Sequence, residues 1–315
     1  MDSDLRRGGK FVVTGGAGFI GSHLCRNLLD HRVDPVHQFA ISNQVVCIDK
    51  FSKGKERIFD MTDKFGFEVI PVFNGFLNVN WNMIISERVG CIFHFASYPS
   101  PKDHLKMPIE TLHADSEGTM AMLQLAKDKD AIFVLASTGH IDQNSDPTDE
   151  KGIYSEGKRF AEAYTMAHHR KFGTEVRIVR MFNSYGPGMR VDDGRVVPTF
   201  IVKALRGEKL TVLGGDQLIS LTYIDDMVEG IKRVAYSDLN GSVEIGTTDR
   251  ISVKDLAKAI IDLTESDSQL AVIPSDIKDE RVPNLERADC LGWTPKVGIE
   301  EGLSKTIEYF RSKNV

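Results

Sequence analysis

The chain has 315 residues, enough for one large domain or two small ones, and its 41% hydrophobic and 27% charged content allows a full core. A formal net charge of −6 argues against nucleic acid or an anionic membrane as a main partner, while anionic small molecules stay open because local basic groups decide their binding. The four cysteines (Cys25, Cys47, Cys91 and Cys290) form no C-x-x-C pair and no histidines cluster at ligand spacing, so reduced thiols and no metal are expected.

The N-terminal stretch MDSDLRRGGK lacks an apolar signal region, and no run reaches membrane-spanning length, so a cytoplasmic protein is expected. Phe11, Val12 and Val13 then form an apolar run suited to a buried parallel strand. Gly15, Gly18 and Gly21 follow at G-x-x-G-x-x-G spacing, and Phe19, Ile20 and Leu24 open a helical pattern. Strand, glycine turn and helix in that order make a dinucleotide site. The first glycine permits the tight turn, the second lets the backbone approach a pyrophosphate, and the third lets the helix sit close to the strand. The helix N-terminus offers free N–H groups to the phosphates.

A polar insertion over residues 31–43 reads as a surface loop. The strand after it, residues 44–49, ends on Asp49, whose carboxylate can accept both adenosine ribose hydroxyls and would repel a 2′-phosphate. That favours NAD over NADP, with Lys50 and Lys53 offsetting part of the repulsion. Further strands are expected over 68–72, 90–96, 132–137 and 175–180, alternating with helices over 22–30, 81–88, 109–127 and 155–172. The alternation predicts an α/β fold, a doubly wound parallel Rossmann sheet with helices on both faces. Its chemistry should lie just beyond Thr14, Asp49, Ala96, Ser137 and Arg180. Beyond Arg180 the pattern loosens into Gly- and Pro-rich segments and closes on an amphipathic helix over 299–311. This half reads as a smaller C-terminal substrate-binding lobe, dividing the chain into 1–182 and 183–315. Residues 218–224 and 243–245 could pack back against the first part.

Tyr154 and Lys158 stand at i and i+4 at the start of a helix, so they share a face. An ammonium beneath a phenol favours the phenolate and brings its pKa towards working pH. Such a pair is common by chance as an exposed couple; here it follows a strand ending in Ser137 and Thr138, whose hydroxyls could bind the same substrate oxygen. Together these groups suit removal of a hydroxyl proton while hydride passes to nicotinamide. His168 and His169 read as a solvated helix face, since no third ligand has the right spacing.

Several runs carry a family resemblance: GGAGFIGSHL, HFASYPSP with MPIET, YSEGKR, RVPNLERADCLGWTP and above all FNSYGPGMRVDDGRVVPTFI over 182–201. Over nearly its whole length the chain resembles the extended short-chain dehydrogenases/reductases, and within them the UDP-glucuronic acid decarboxylase group. The resemblance implies NAD held by Gly15, Gly18, Phe19, Ile20, Gly21, Asp49, Lys50, Ala96 and Lys158. It implies that C4 of the sugar is oxidised with Tyr154 as base, Lys158 lowering its pKa and Thr138 binding the oxygen. The resulting β-keto acid can then lose CO₂. It further implies a UDP-sugar contacted by Ser97, Asn183, Arg195 and Arg281, and a homodimer joined by the helices near 109–127 and 155–172. Three positions depart from the group: His140 stands where it has a Glu that takes part in the sugar chemistry, Ile219 where it has an Arg, and Asp115 where it has an Asn. His140 could still act as acid or base, or bind the sugar carboxylate. A nucleotide-sugar 4-epimerase, which needs no such Glu, is the alternative. A protein that binds NAD and nucleotide sugar without turnover is a third reading.

Overall fold

Strands Val89–His94 (β4) and Ile132–Thr138 (β5) are buried at every position, and Lys10–Thr14 (β1) at all but its first residue. Continuous apolar runs of this kind suit parallel strands covered on both faces. The structure is a computed structural model that describes residues 9–30, 44–52, 54–72, 75–77, 79–139, 141, 146, 148–149, 152–192, 194–275 and 281–314. The insertion over 31–43 therefore lies outside the described residues, as does His140.

With Val45–Asp49 (β2), Phe67–Pro71 (β3), Val176–Met181 (β6) and Ser242–Ile245 (β7), these strands form one seven-stranded sheet in the order β7-β6-β5-β4-β1-β2-β3. Every neighbouring pair is parallel. The direction of winding reverses between β1 and β4, where Thr14 lies opposite Ile48 on one side and His94 on the other. Ligands of such sheets bind in the crevice beyond the carboxyl ends at that reversal.

Alternate strand residues feed two separate cores, as the pleat requires. Phe11, Val13 and Val134 pack with Leu24 and Leu28 of helix Phe19–Asp30 (α1) and with Ile231 and Val234 of helix Ile224–Tyr236. Val12, Phe133 and Leu135 face the other way, against Met122, Leu123 and Ala126 of helix Thr119–Lys129 (α2) and Ala161 of helix Ile153–Phe172 (α3). Helices thus cover both faces, as the alternation of the sequence predicts.

The elements differ from the sequence reading in two places, and a third follows it. The helix expected over 81–88 is a single turn, Trp81–Ile84, because Ile85 leaves helical geometry and β4 starts at Val89. The helix expected over 109–127 is three pieces: Pro108–His113, a π-helical turn Ala114–Gly118, and α2. Beyond residue 182 the chain returns to the large sheet as β7, with Val243 opposite Val179. The rest forms small pairings, Ser184–Tyr185 with Thr222–Tyr223, Leu218–Ser220 with Arg250–Ser252, and Leu210–Leu213 with Leu270–Ile273. Among the described residues no helix is long and apolar enough to cross a membrane.

Candidate active site

The glycine turn is shaped by backbone that leaves no room for side chains. Gly15 sits at φ +68°, and a Cβ there would stand 2.8 Å from the backbone of Phe95 and Ala96 at the end of β4. A Cβ on Gly21 would run into the carbonyl of Gly15, so its absence lets α1 rest on the turn. The Thr14 hydroxyl ties β1 to β4: its oxygen accepts from the N–H groups of Phe95 and Ala96, both at 3.2 Å, and it shares a hydrogen bond of 2.8 Å with Nδ1 of His94. Burial pushes the His94 imidazole down to about 3, so it stays neutral. At the end of β2, Asp49 accepts from the N–H of Ala17 at 3.0 Å and of Phe51 at 2.9 Å. Its carboxylate is thereby held on the far side of the glycine turn from the sheet reversal. Burial nonetheless raises its pKa, against the pull of those N–H groups.

Gly15, Gly18, Phe19, Ile20, Gly21, Asp49, Lys50 and Ala96 line one cavity of about 900 Å³ with Ser97, Thr138, Tyr154, Lys158, Asn183, Arg195 and Arg281. The bare glycine cradle and the strand-end carboxylate fit a dinucleotide, and the Tyr–Lys pair faces the same space. Of the expected site residues only His140, outside the described residues, is not placed there.

The chemical end is built from buried polar groups. Lys158 donates to the carbonyl of Ala136 on β5 at 2.9 Å and lies 2.9 Å from Oδ1 of Asp115. Burial works to lower its ammonium, but Asp115 and Tyr154 outweigh this and hold its pKa above the usual value. The Lys158 ammonium is 5.8 Å from the centre of the Tyr154 ring. It does favour the phenolate, as do Arg195 and a hydrogen bond with Thr138. Burial is the larger influence, however, and with Asp115 it raises the phenol above its ordinary value. The pull of Lys158 towards the phenolate is thus the one expected from the sequence, set against a burial that the spacing does not show. Ser137 also lines the cavity, with its hydroxyl donating to Glu162 at 2.6 Å, where Arg180 is bound at 2.7 Å and 2.9 Å. Thr138 is the hydroxyl beside Tyr154.

The His168–His169 pair is likewise not a solvated face. His168 is buried, with its ring 4.7 Å from that of Phe172, and His169 hydrogen-bonds the carbonyl of Thr174 at 2.8 Å. Among the described residues no three histidine, cysteine or acidic side chains stand together as a metal site.

A family model described as the NAD dependent epimerase/dehydratase family matches residues 11–246. The chain belongs to that family. NAD is accordingly its cofactor, in keeping with the cradle around Gly15 and with Asp49. Over 96% of its length it is 36% identical to UDP-glucuronic acid decarboxylase 1 of Xenopus tropicalis, covering 72% of that protein. It is 35% identical to UDP-glucuronic acid decarboxylase 6 of Arabidopsis thaliana, covering 89% of it and 96% of itself. Among solved structures, UDP-glucose 4-epimerase of Thermotoga maritima with UDP-glucose superposes with a TM-score of 0.83 at 27% identity, over 97% of this chain and 100% of that one.

Two cavity residues of this family member, His104 and Asp103, escaped the sequence reading. His104, on the short helix Pro101–Lys106, lies parallel to the Tyr154 ring at 5.7 Å and 10°. Beside it Asp103 pairs with Arg190 at 2.6 Å, joining that helix to the loop after β6. The one available signal was their place after β4, at a strand end that the winding rule marks for chemistry. Ile219, where the resemblance leads one to look for an arginine, also lines the cavity.

Proposed function

We propose that this chain decarboxylates UDP-glucuronic acid through a 4-keto intermediate, yielding UDP-xylose or the UDP-4-keto-pentose. The observation that carries the reading is the convergence of Thr138, Tyr154 and Lys158 with Asn183, Arg195 and Arg281 in one cavity. The first trio suits redox chemistry at a carbinol; the second offers an amide and two guanidinium forks suited to a diphosphate. The decarboxylases named above, about 35% identical over nearly the whole chain, support the same reading.

In this reading Tyr154 removes the proton of the C4 hydroxyl, with Lys158 and Thr138 steadying the oxygen. NAD, when bound, accepts the C4 hydride and later returns it. The ketone formed lies β to the carboxylate. Hydrogen bonds from Tyr154 and Thr138 to the ketone oxygen let the electrons of the breaking C–C bond collect there as CO₂ leaves. Protonation at C5 then completes the 4-keto-pentose.

Epimerisation at C4 is the second reading, favoured by His140 in place of the Glu of the decarboxylase group and by the likeness to the Thermotoga epimerase. We further propose a lobe boundary near residue 182 and a cytoplasmic homodimer. The unpaired cysteines and the exposed Ile109 and Phe160, on the helices that the resemblance puts at the dimer contact, support the latter.

Incubation with UDP-glucuronic acid and NAD, followed by mass spectrometry of the nucleotide sugars, tests the reading. Loss of CO₂ from the nucleotide sugar is expected, and an unchanged mass with a new sugar isomer would replace it by the epimerase reading.

A further inference from the structure

The Tyr–Lys pair of this chain carries a third charge. Asp115 projects from the π-helical turn Ala114–Gly118, a wide turn of the kind that often marks functional positions. Its Oδ1 is 2.9 Å from Lys158 Nζ, with the two side chains 1% and 3% exposed. Burial raises its own pKa, against the pull of the Lys158 ammonium and of the Ser97 hydroxyl, the two groups its carboxylate meets. On its other side the carboxylate rests against Gly157, where a Cβ would stand 2.8 Å from Oδ2. Its place is therefore tightly defined.

We propose that Asp115 is a positioning residue of this active site: by neutralising Lys158 it sets the pH at which Tyr154 becomes a base. The physical reason is the reach of the field. A lone ammonium acts on the phenol as a full charge, whereas an ammonium paired at contact acts as a dipole, whose influence fades faster with distance. The same pairing keeps Lys158 protonated further into the alkaline range. An uncharged amide at 115 would do neither. The inference rests on Tyr154 acting as the base in the proposed reaction.

Other charged groups surround the pair without competing for this role. Arg195 faces Tyr154 across the cavity, Glu162 lies one turn beyond Lys158, His104 stacks on the phenol, and His94 stands behind Lys158. Arg195 and Glu162 are common to every form compared below. The two histidines, held below their usual value by burial, are neutral there. Of the charges acting on the ring, Lys158 and Asp115 act most strongly.

The test is phenolate titration by ultraviolet difference absorbance on the cofactor-free protein, each form measured against its own Y154F counterpart to isolate Tyr154. D115N should move the Tyr154 midpoint about one unit lower. D115S, equally uncharged, should do the same and serves if the amide fails to fold. D115E, which keeps the charge, should retain the wild-type midpoint. A midpoint unmoved or raised in D115N or D115S, or D115E sharing their shift, overturns the proposal. Because the titration needs no sugar nucleotide, failure of the decarboxylase reading leaves it standing. CO₂ release with an unmoved phenol would sink this proposal alone.

Discussion

The two ends of the cavity are built by opposite means. The cofactor end is made of main chain and missing side chains: Gly15 and Gly21 leave space, and backbone N–H groups orient Asp49. The chemical end is made of buried side chains that constrain one another, with Lys158 between Ala136 and Asp115, and Tyr154 between Thr138 and His104. A backbone cradle has one shape, fixed by sterics. A cluster of buried charges has several protonation states, and its behaviour depends on which of them dominates. Changes at the first end should therefore act on binding and folding, and changes at the second on rate and pH dependence.

The largest effect should follow the loss of the phenol. Tyr154→Phe should lower turnover about 10³-fold, as expected for removal of a general acid–base group, while NAD affinity measured by calorimetry stays near wild type. An equal loss of affinity would show that the two ends are not separable. At the cofactor end, Gly15→Ala meets both a positive φ and the backbone of β4, so a loss of about 1–3 kcal/mol in stability is expected with weakened NAD binding. Thermal melting and NAD titration would read these two effects.

His94, behind both ends, gives a pH test. Its folded-state pKa lies near 3, below the unfolded value of 6.5. Between those values the unfolded chain binds the extra proton, so the stability this group contributes is present above about pH 6.5 and lost as the pH falls. Denaturant unfolding near pH 5.5 should give a stability about 1 kcal/mol lower than near pH 7.5, and His94→Asn should remove most of that difference. A slope unchanged by the substitution would assign the loss to other groups. The smallest effect is expected at His104, whose ring stacks on that of Tyr154. His104→Ala should lower kcat by about tenfold or less with little change in KM, as a displaced general base would.

These ends were also unequally legible in the sequence. The glycine triplet, the carboxylate closing β2 and the i, i+4 spacing of Tyr154 and Lys158 are local patterns, and local geometry follows from them directly. Asp115 was visible as an unusual residue, but its contact with Lys158 depends on the π-helical turn, which no simple periodicity announces. The Asp103–Arg190 pair spans 87 positions, and nothing in either segment points to the other. Ser137 shows the converse limit. Its place beside Thr138 suggests a substrate hydroxyl, but not the half-buried Glu162–Arg180 pair to which that hydroxyl donates. At Tyr154, likewise, spacing reveals the favourable cation but not the depth of burial that outweighs it.

The return of the chain to the large sheet as β7 has a practical consequence. A fragment ending near residue 182 would keep β6 but lose its outer neighbour, leaving the main-chain groups facing Ser242–Ile245 without partners beside the apolar Ile178 and Val179. Such a bare, hydrophobic edge is a template for pairing with another chain. Cutting this protein at the proposed lobe boundary would thus yield a sticky half, prone to assemble edge to edge.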